Sequence, residues 1–381
     1  MSKGASHSAM SLLFSIVLSL SLLSIVFLGT SRPTHSAMGE NGDTRAANDY
    51  SRLAFVAPIT FTPAFTYYFP IIFNNYIPPV WTSLGLRGLP IKQIAISNHG
   101  PETIYAVIDS AQVPTTTALY KSIDSGLSWR PSSDGISGRI QSLFVHPITP
   151  TLLLVGALAG GHGVYRSEDG GQHWNGAGLD PFIRVVAAHP TTPTLWLAAS
   201  YNSLIFGSAY AYRTENAGES WETVIPTTTV VDSFAFDRDD PNRVYACAWS
   251  GFLSSQDAGL TWSHGGIDSC GELVTHPYSH TIMYAVSGSG VLETENQGLS
   301  WTQILTGEHS YWALALDPTR PAVIYAATLN TLFRSTDAGD SWQQVSRPSN
   351  VTFSYIEDLA VSRSGKLYMG TDRGVWSISF H

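Results

Sequence analysis

Short apolar runs that end at a turn-forming residue recur along most of this sequence. Four residues after the turn-former most runs have a proline, and eight residues after it they have Leu or Tyr. The turn-formers are Ser97, His146, His189, Asp237, His276 and Asp317. The prolines are Pro101, Pro150, Pro193, Pro241 and Pro321, with His280 in the fifth copy, and the third set is Tyr105, Leu154, Leu197, Tyr245, Tyr284 and Tyr325. Apolar runs separated by such turns predict a strand A, a turn and a strand B in every copy.

A polar octapeptide, Ser/Thr-x-Asp/Asn-x-Gly-x-x-Trp, occurs six times between these strand pairs. Its specified positions hold Ser122, Asp124, Gly126 and Trp129; Ser167, Asp169, Gly171 and Trp174; Thr214, Asn216, Gly218 and Trp221; Ser255, Asp257, Gly259 and Trp262; Thr294, Asn296, Gly298 and Trp301; and Ser335, Asp337, Gly339 and Trp342. A C strand such as 118–122 leads into each octapeptide, and a D strand begins near its tryptophan. A period of about 40 residues with four strands in each copy predicts the blades of a β-propeller.

The number of blades follows from the C-strand position before each octapeptide. Tyr120, Tyr165, Tyr212, Leu253, Leu292 and Phe333 occupy it, and Trp376 continues the series without an octapeptide after it. This seventh blade has A, B and C strands at 356–361, 366–370 and 374–379, whereas Trp81 marks a D strand without A, B or C strands of its own. The sequence therefore predicts an all-β, seven-bladed β-propeller of four-stranded antiparallel blades, with the last blade closed by the N-terminal strand 80–84. Six blades are the alternative.

The octapeptide is interpreted as a structural hairpin. Its glycine makes the tight C–D turn, its Ser/Thr and Asp/Asn side chains bond nearby backbone N–H groups, and its tryptophan packs into the sheet. Calcium binding through these copies is disfavoured. Each offers a single carboxylate, replaced by Asn216 and Asn296 in two copies, and Ca²⁺ takes six or more oxygen ligands.

These octapeptides resemble the Asp-boxes, or BNR repeats, of sialidases, xyloglucan-cleaving glucanases, sortilin-type receptors and photosystem II assembly-factor propellers. The resemblance covers about residues 80–380 and implies a ligand site on the face away from the boxes, with function carried by the loops. A sialidase is disfavoured because its Arg-Ile-Pro motif has only the segment 86–90, LRGLP, as a counterpart. Xyloglucan-cleaving enzymes place two propellers around a cleft, each giving an Asp, and this sequence has the length for one.

Composition restricts the partners and the location. The formal net charge is −9 without any run of Lys or Arg, so nucleic-acid binding is disfavoured. An apolar stretch, 11–29, predicts a signal peptide or membrane anchor within 1–40. Residues 41–79 are predicted to be a Pro- and aromatic-rich linker, and 80–381 the propeller. We expect a monomer outside the cytoplasm, which is secreted, periplasmic or attached to a membrane through 11–29.

A ligand or active site is expected where the D–A and B–C connections gather. The acidic residues predicted there are Asp134, Asp180, Asp232, Asp268, Glu272, Glu308, Glu357, Asp358 and Asp372. Of these, Glu308, Glu357, Asp358 and Asp372 are the candidate catalytic residues, because two carboxylates about 5 to 10 Å apart can hydrolyse a glycosidic bond. The ligand-face candidates are Arg139, Arg184, Tyr201, Trp249, Tyr311, Tyr355 and Arg373. The B–C connections at 109–117 and 200–209 are candidate partner-contacting loops.

The histidines and cysteines do not predict a metal or redox centre. His146, His189 and His276 share one repeat position that Asp or Ser fills in other blades, so the position shapes a turn. Cys247 falls on strand B of the fourth blade and Cys270 just before strand A of the fifth. A disulfide between them suits an oxidising compartment, and the alternative is a buried small residue with a separate free thiol. We expect no metal and no cofactor.

These features predict an exported or membrane-tethered propeller that acts as a non-catalytic binding module for a protein or glycan ligand. The first alternative is a glycoside hydrolase that uses two loop carboxylates on the face opposite the octapeptides. The second alternative is an envelope or photosystem assembly-factor-like protein, although the basic patch associated with that group has no counterpart in this sequence.

Overall fold

The computed structural model describes residues 59–61, 65–67, 78–97, 102–112, 118–158, 161–179, 182–200, 209–227, 229–237, 240, 242–307, 310–347 and 349–380. The chain divides into two units, Met1–Asn75 and Tyr76–His381. In the first, β1 (Ile59–Phe61) pairs with β2 (Phe65–Tyr67) as an antiparallel hairpin. Within the described residues, no helix is long and apolar enough to cross a membrane. The predicted signal peptide or membrane anchor, 11–29, lies outside them.

The second unit consists of seven four-stranded antiparallel sheets, numbered here as blades 1 to 7. Blade 1 holds β4 (Ile91–Ser97), β5 (Thr103–Ile108), β6 (Leu119–Ser122) and β7 (Arg130–Pro131); blade 2 holds β8 (Arg139–Val145), β9 (Leu153–Leu158), β10 (Val164–Ser167) and β11 (Asn175–Gly176); blade 3 holds β12 (Ile183–Ala188), β13 (Trp196–Ser200), β14 (Ala209–Thr214) and β15 (Glu222–Thr227); blade 4 holds β16 (Val231–Phe236), β17 (Val244–Ala248), β18 (Gly251–Ser255) and β19 (Ser263–His264). Blade 5 holds β20 (Leu273–Thr275), β21 (Met283–Ser287), β22 (Gly290–Thr294) and β23 (Thr302–Thr306); blade 6 holds β24 (Tyr311–Leu316), β25 (Ile324–Thr328), β26 (Leu332–Ser335) and β27 (Gln343–Gln344); blade 7 holds β28 (Ile356–Val361), β29 (Leu367–Thr371), β30 (Gly374–Ser379) and β3 (Val80–Ser83).

The ring is closed by pairing strands that are distant in sequence. The first strand of every blade contacts the first strand of the next, and that of blade 7 contacts that of blade 1. Strand β3 pairs with β30, from Val80 opposite Ser379 to Ser83 opposite Trp376, and so supplies the D strand of blade 7. The predicted seven blades and their closure by an N-terminal strand are confirmed, with β3 one residue shorter than predicted.

The second strand of each blade explains the apolar runs in the sequence. Strands β13, β17, β25 and β29 are buried along their whole length, because each lies between two strands of its own blade and is covered by the neighbouring blades. Burial on both faces replaces the alternation of a half-exposed strand with a continuous apolar run. The core lies between blades: Leu84 and Tyr368 of blade 7 pack with Ile91 and Ile104 of blade 1.

The turn-formers close the A–B turns through side-chain acceptors. His146 Nδ1 accepts the N–H groups of Ile148 and Thr149, at 3.3 and 2.9 Å. In blade 6 the Asp317 carboxylate likewise accepts the N–H groups of Thr319 and Arg320. A ring nitrogen can accept these bonds only while it is unprotonated, and burial lowers the pKa of His146 accordingly.

All six octapeptides form one hydrogen-bonded lock on the C–D turn. In each, the Ser or Thr hydroxyl donates to the Asp or Asn side chain at 2.7–2.9 Å and accepts the glycine N–H at 2.8–3.1 Å. The residue before that glycine is left-handed in every copy: Ser125, Gly170, Ala217, Ala258, Gln297 and Ala338, with φ between 56° and 73°. These bonds satisfy the turn's donors locally, which accounts for the repetition of the same residue types.

Candidate functional site

The octapeptides and the opening of the central channel lie at opposite ends of the blades. Strand A starts beside the end of strand B, as the pairing of Ile91 with Ile108 shows, so it starts at the B–C end. The C–D turns that hold the octapeptides are at the other end of the same antiparallel strands. At the B–C end the channel widens into a cavity of about 750 Å³. This opening, called here the mouth, is the candidate site.

One repeat position supplies a ring of side chains around the mouth. The residue five positions before each turn-former, counting Ser362 as the turn-former of blade 7, lines the cavity in all seven blades. The members of this mouth ring are Lys92, Gln141, Arg184, Asp232, Gly271, Trp312 and Glu357. In every blade but the fifth, the pairing of strands A and B shifts register at this residue. A bulge of this kind re-aims a side chain, here toward the channel.

Polar bonds link the mouth across three pairs of neighbouring blades. Lys92 Nζ donates to Gln141 Oε1 at 2.7 Å, joining blades 1 and 2. Arg184 Nε donates to Asp232 Oδ1 at 2.6 Å, joining blades 3 and 4, and Trp249 Nε1 donates to Asp232 Oδ2 at 3.0 Å. Tyr355 of blade 7 donates its hydroxyl to Gln112 of blade 1 at 2.6 Å. This part of the mouth is already held together by its own side chains.

Blades 5 and 6 give the mouth a different character. The ring position of blade 5 is Gly271, and that of blade 6 is Trp312, whose side chain is 55% exposed. Trp249, in the B–C turn of blade 4, is 58% exposed. Two large exposed indole rings therefore lie on the two sides of blade 5. Exposed aromatic rings at the rim of a cavity that also has polar side chains are typical of a ligand-contacting surface.

Two carboxyl groups lie one position deeper in the channel. Glu272 Oε2 accepts the N–H of Leu314 from blade 6, and Asp358 Oδ2 accepts the N–H of Ile94 from blade 1, both at 2.7 Å. Both side chains are half-buried and line the cavity. Burial raises the pKa of Asp358 to about 7, and Glu357 adds to the rise. Burial, reinforced by the Asp358 charge, also raises the pKa of Glu272 well above its usual range.

The charges at the mouth also shift one another. Burial raises the pKa of Glu357, and Asp109 adds to the rise. Burial lowers the pKa of Lys92, with Arg184 and Arg139 acting in the same direction. The residues of the mouth are thus near enough to interact electrostatically, which loop residues scattered over a surface would not be.

Several residues predicted from the sequence come together in this cavity. Its lining includes Asp232, Glu272, Glu357, Asp358, Arg184, Trp249 and Tyr311. Tyr311 is 5% exposed and packs against Phe333, with ring centroids 5.8 Å apart, so its ring is not available for stacking on a ligand. Asp134 and Asp268 do not line the cavity.

The other predicted residues lie elsewhere or outside the described chain. Asp372 accepts the N–H groups of Ser354 and Tyr355, and Arg373 Nε lies 3.7 Å from its Oδ2. Arg139 Nη2 lies 3.6 Å from Asp109 Oδ1. Glu308, Tyr201 and Asp180 fall outside the described residues. So do the central parts of the two candidate partner-contacting loops, namely 113–117 within 109–117 and 201–208 within 200–209.

Sequence reasoning missed Lys92, Gln141, Gly271 and Trp312. They occupy the same repeat position as Arg184, Asp232 and Glu357, and they were missed because candidates were chosen by residue type and not by their place in the repeat. Counting back five residues from each turn-former would have found the whole ring.

A disulfide fixes the start of strand A in blade 5. Cys247, in β17, is bonded to Cys270, and both residues are buried. Cys270 immediately precedes Gly271 and lines the cavity. Strand β20 begins only at Leu273 and is the shortest first strand of any blade, so the cross-link holds a segment that has few ladder bonds of its own.

Among the described residues, no group of three or more His, Cys, Asp or Glu side chains is arranged to hold a metal ion.

No protein-family model matches this sequence, and no curated protein matches it. Solved structures do resemble it. The GH74 xyloglucanase from Xanthomonas campestris aligns with a TM-score of 0.62 and 18% identity over 79% of this chain and 53% of that one. YCF48 from Cyanidioschyzon merolae aligns with a TM-score of 0.58 and 17% identity over 79% of this chain and 98% of that one. The extracellular domain of BT4673 from B. thetaiotaomicron aligns with a TM-score of 0.60 and 14% identity over 80% of this chain and 40% of that one.

At these identities the likeness shows the fold. The chain spans about half of the length of the GH74 enzymes that it matches. Its structural neighbours include glycoside hydrolases, an assembly factor bound to a peptide and an extracellular domain, which are different functions on one propeller fold.

Proposed function

We propose that this propeller is a non-catalytic binding module that acts outside the cytoplasm and binds a glycan at the mouth of its channel. The observation that carries the proposal is the pair of exposed rings, Trp249 and Trp312, on the rim of a cavity lined with polar groups. Each indole offers a flat apolar face, which suits the apolar face of a sugar ring, while the Trp249 N–H is already bonded to Asp232. Pockets with an aromatic surface and a few convergent polar groups are typical ligand sites.

The charge of the mouth ring favours an uncharged, hydroxyl-rich ligand. Lys92 and Arg184 contribute two positive charges, and Asp232 and Glu357 two negative ones, so the ring has no net charge. Such a ring offers both donors and acceptors without attracting a strongly acidic or basic partner.

The existing bonds of the carboxylates support binding rather than hydrolysis. Asp232 already accepts bonds from Arg184 and Trp249. The two carboxyl groups deeper in the channel, those of Glu272 and Asp358, each accept a backbone N–H from a neighbouring blade. Hydrolysis of a glycosidic bond requires an acid and a second carboxylate that can act as a base or nucleophile. Glycoside hydrolase is the second candidate, favoured by the raised pKa of Glu357, which suits a general acid.

Two further observations support an extracytoplasmic location. Disulfides such as Cys247–Cys270 persist in oxidising compartments. The propeller of BT4673, which has the same fold, is an extracellular domain. Together with the predicted leader at 11–29, they make export the simplest proposal for this chain.

A glycan array probed with the full chain tests the proposal, with a turnover assay on every glycan that binds. We expect binding without turnover, and at least a tenfold loss of affinity in the Trp249→Ala/Trp312→Ala double variant. Leu299→Gln is the matched control, because Leu299 is exposed on the octapeptide of blade 5, at the opposite end of the blade. Turnover would establish the hydrolase instead. No glycan binding would refute the proposal and move attention to a protein partner, the kind of ligand that YCF48 holds in its complex with D1 peptide.

A further inference from the structure

At the mouth-ring position blade 5 has glycine, whereas the other six blades have a residue with a side chain. The backbone of blade 5 does not require a glycine there. Gly271 does not have a left-handed φ, and a Cβ built on it would meet only Val286 Cγ2, at 3.3 Å. A glycine that is needed for its conformation has a φ that other residues avoid, or backbone pressed against it. Gly271 has neither a left-handed φ nor backbone pressed against it. Its effect is therefore to leave space in the cavity at the mouth.

A second glycine extends the same space. Gly288 lies in the turn between β21 and β22 and lines the same cavity. Its φ is not left-handed either, and a Cβ there would meet nothing within 4 Å. By contrast, the glycine on the other side of that turn, Gly290, has a φ of 157° and would place a Cβ 1.8 Å from the Leu305 carbonyl oxygen. Of these three glycines the fold demands Gly290, but it does not demand Gly271 or Gly288.

The space above blade 5 has aromatic walls and a polar floor. Trp249 of blade 4 and Trp312 of blade 6 stand on its two sides. Glu272, next to Gly271, lies below, where Oε2 holds the Leu314 N–H. Burial and the Asp358 charge favour the neutral form of the Glu272 carboxyl, which can donate a hydrogen bond as well as accept one.

The disulfide makes this space rigid. It joins Cys270 to β17 directly beside Gly271, and the Ser233 hydroxyl holds the Gly271 carbonyl oxygen at 2.8 Å. A subsite whose backbone at Gly271 is fixed before the ligand arrives spends less of its binding energy on ordering.

We infer that the notch formed by Gly271, Gly288, Trp249, Trp312 and Glu272 is a subsite for a single pyranose ring, and that Gly271 decides what fits into it. This inference rests on the proposed function and narrows it to one sector of the mouth. A hexose ring presents an apolar face to an indole and hydroxyl groups to the floor, which matches the two kinds of surface that the notch provides.

Saturation-transfer NMR with the full chain and methyl β-D-glucopyranoside, methyl β-D-galactopyranoside or methyl α-D-mannopyranoside tests the inference. We expect transfer to the ring protons of at least one of these probes in the wild type and a loss of at least tenfold in Gly271→Gln. Glutamine is the residue of blade 2 at this ring position, Gln141, and in blade 5 the added Cβ would meet only Val286 Cγ2, at 3.3 Å. Leu299→Gln is the control and should bind as the wild type does.

The outcomes separate this inference from the proposed function. Unchanged binding by Gly271→Gln would overturn the notch while the glycan module stands. A glycan array with hits, combined with no transfer to any of the three monosaccharides, would also overturn a single-ring subsite. If Gly271→Gln does not fold, Gly288→Gln narrows the notch from its other side, where a Cβ meets nothing, and the same loss is expected. Failure of every sugar in both experiments would remove both proposals together.

Discussion

The two ends of this propeller are built from the same strands but follow different rules. At the octapeptide end, six blades repeat the same hydroxyl, carboxamide or carboxylate, glycine and tryptophan, with the same bonds in each copy. At the mouth, one equally regular backbone position has a different residue in every blade, from Lys92 to Trp312 to Gly271.

The comparison shows where information about function is located in a repeat protein. Residues that repeat satisfy a need that every blade has, such as closing a turn. A repeat position that holds a different residue in every blade is not required for closing a turn. Its residues can therefore contact a ligand that touches several blades at once. The prediction is that substitutions at the two ends will separate stability from binding.

The largest expected effect is from a tryptophan of the octapeptide end. Trp174 is 4% exposed, and its Nε1 donates to the Ser132 carbonyl oxygen at 2.8 Å. Trp174→Ala should lower the free energy of unfolding by about 3 to 5 kcal/mol, measured by urea denaturation. Trp312→Ala, at the mouth, should change it by less than about 0.5 kcal/mol, because the ring is exposed. Equal losses in the two variants would contradict the division between the ends.

The pH dependence of stability should have opposite signs at the two ends. Asp358, deep in the channel, has its pKa raised to about 7, so the native state binds its proton more tightly than the unfolded chain does. Its contribution to stability is complete below its ordinary pKa and is lost as the pH rises through about 7. Asp358→Asn removes that loss and should be more stable than the wild type by about 1 to 2 kcal/mol at pH 8, but not at pH 4.

The matching aspartate of the octapeptide end is the control for that experiment. Hydrogen bonds from Ser128 and Ser122 lower the pKa of Asp124 to about 2. Its contribution is therefore present above the ordinary pKa and is lost as the pH falls toward about 2. Asp124→Asn should be less stable than the wild type at neutral pH, and the difference should shrink in acid. The same sign for both variants across the pH series would refute this part of the comparison.

The smallest expected effect tests how similar the backbone conformations of the octapeptides are. Ala217 has a φ of 56°, and blade 2 has Gly170 at the same place with a φ of 73°. Ala217→Gly removes the left-handed strain, partly offset by the greater freedom of glycine in the unfolded chain, so we expect a gain of about 0.5 kcal/mol in thermal unfolding. Gly170→Ala should show a loss. A loss in Ala217→Gly as well would show that the copies are not interchangeable.

The fold could be predicted because its determinants are local and repeated. The octapeptide fixes the C–D turn, and the turn-former fixes the A–B turn. The strands of each blade can therefore be located from motifs that lie within about 40 residues of one another. The unmatched Trp81 and Trp376 then indicated the closure, and β3 does pair with β30.

The candidate site could be predicted only in part. Glu357, Asp358 and Arg184 were found because charged residues near loops attract attention, and all three line the cavity. Their bonds across blades, such as Asp358 to the Ile94 N–H, join residues that lie far apart in the sequence and follow only from ring closure. The role of Gly271 depended on knowing that its φ is ordinary, and a sequence does not record φ.

The closure of blade 7 has a consequence for the making of the protein. Strand β3 leaves the ribosome before any other part of the ring, yet its partner, β30, is among the parts made last. Until Gly374–Ser379 has emerged, β3 has an unpaired edge and the ring is an open array with two unprotected ends. A chain broken off before that strand lacks this pairing, however well its first six blades have formed. The integrity of the ring therefore depends on its last strand, and a chain truncated before Gly374 should expose the edge of β3.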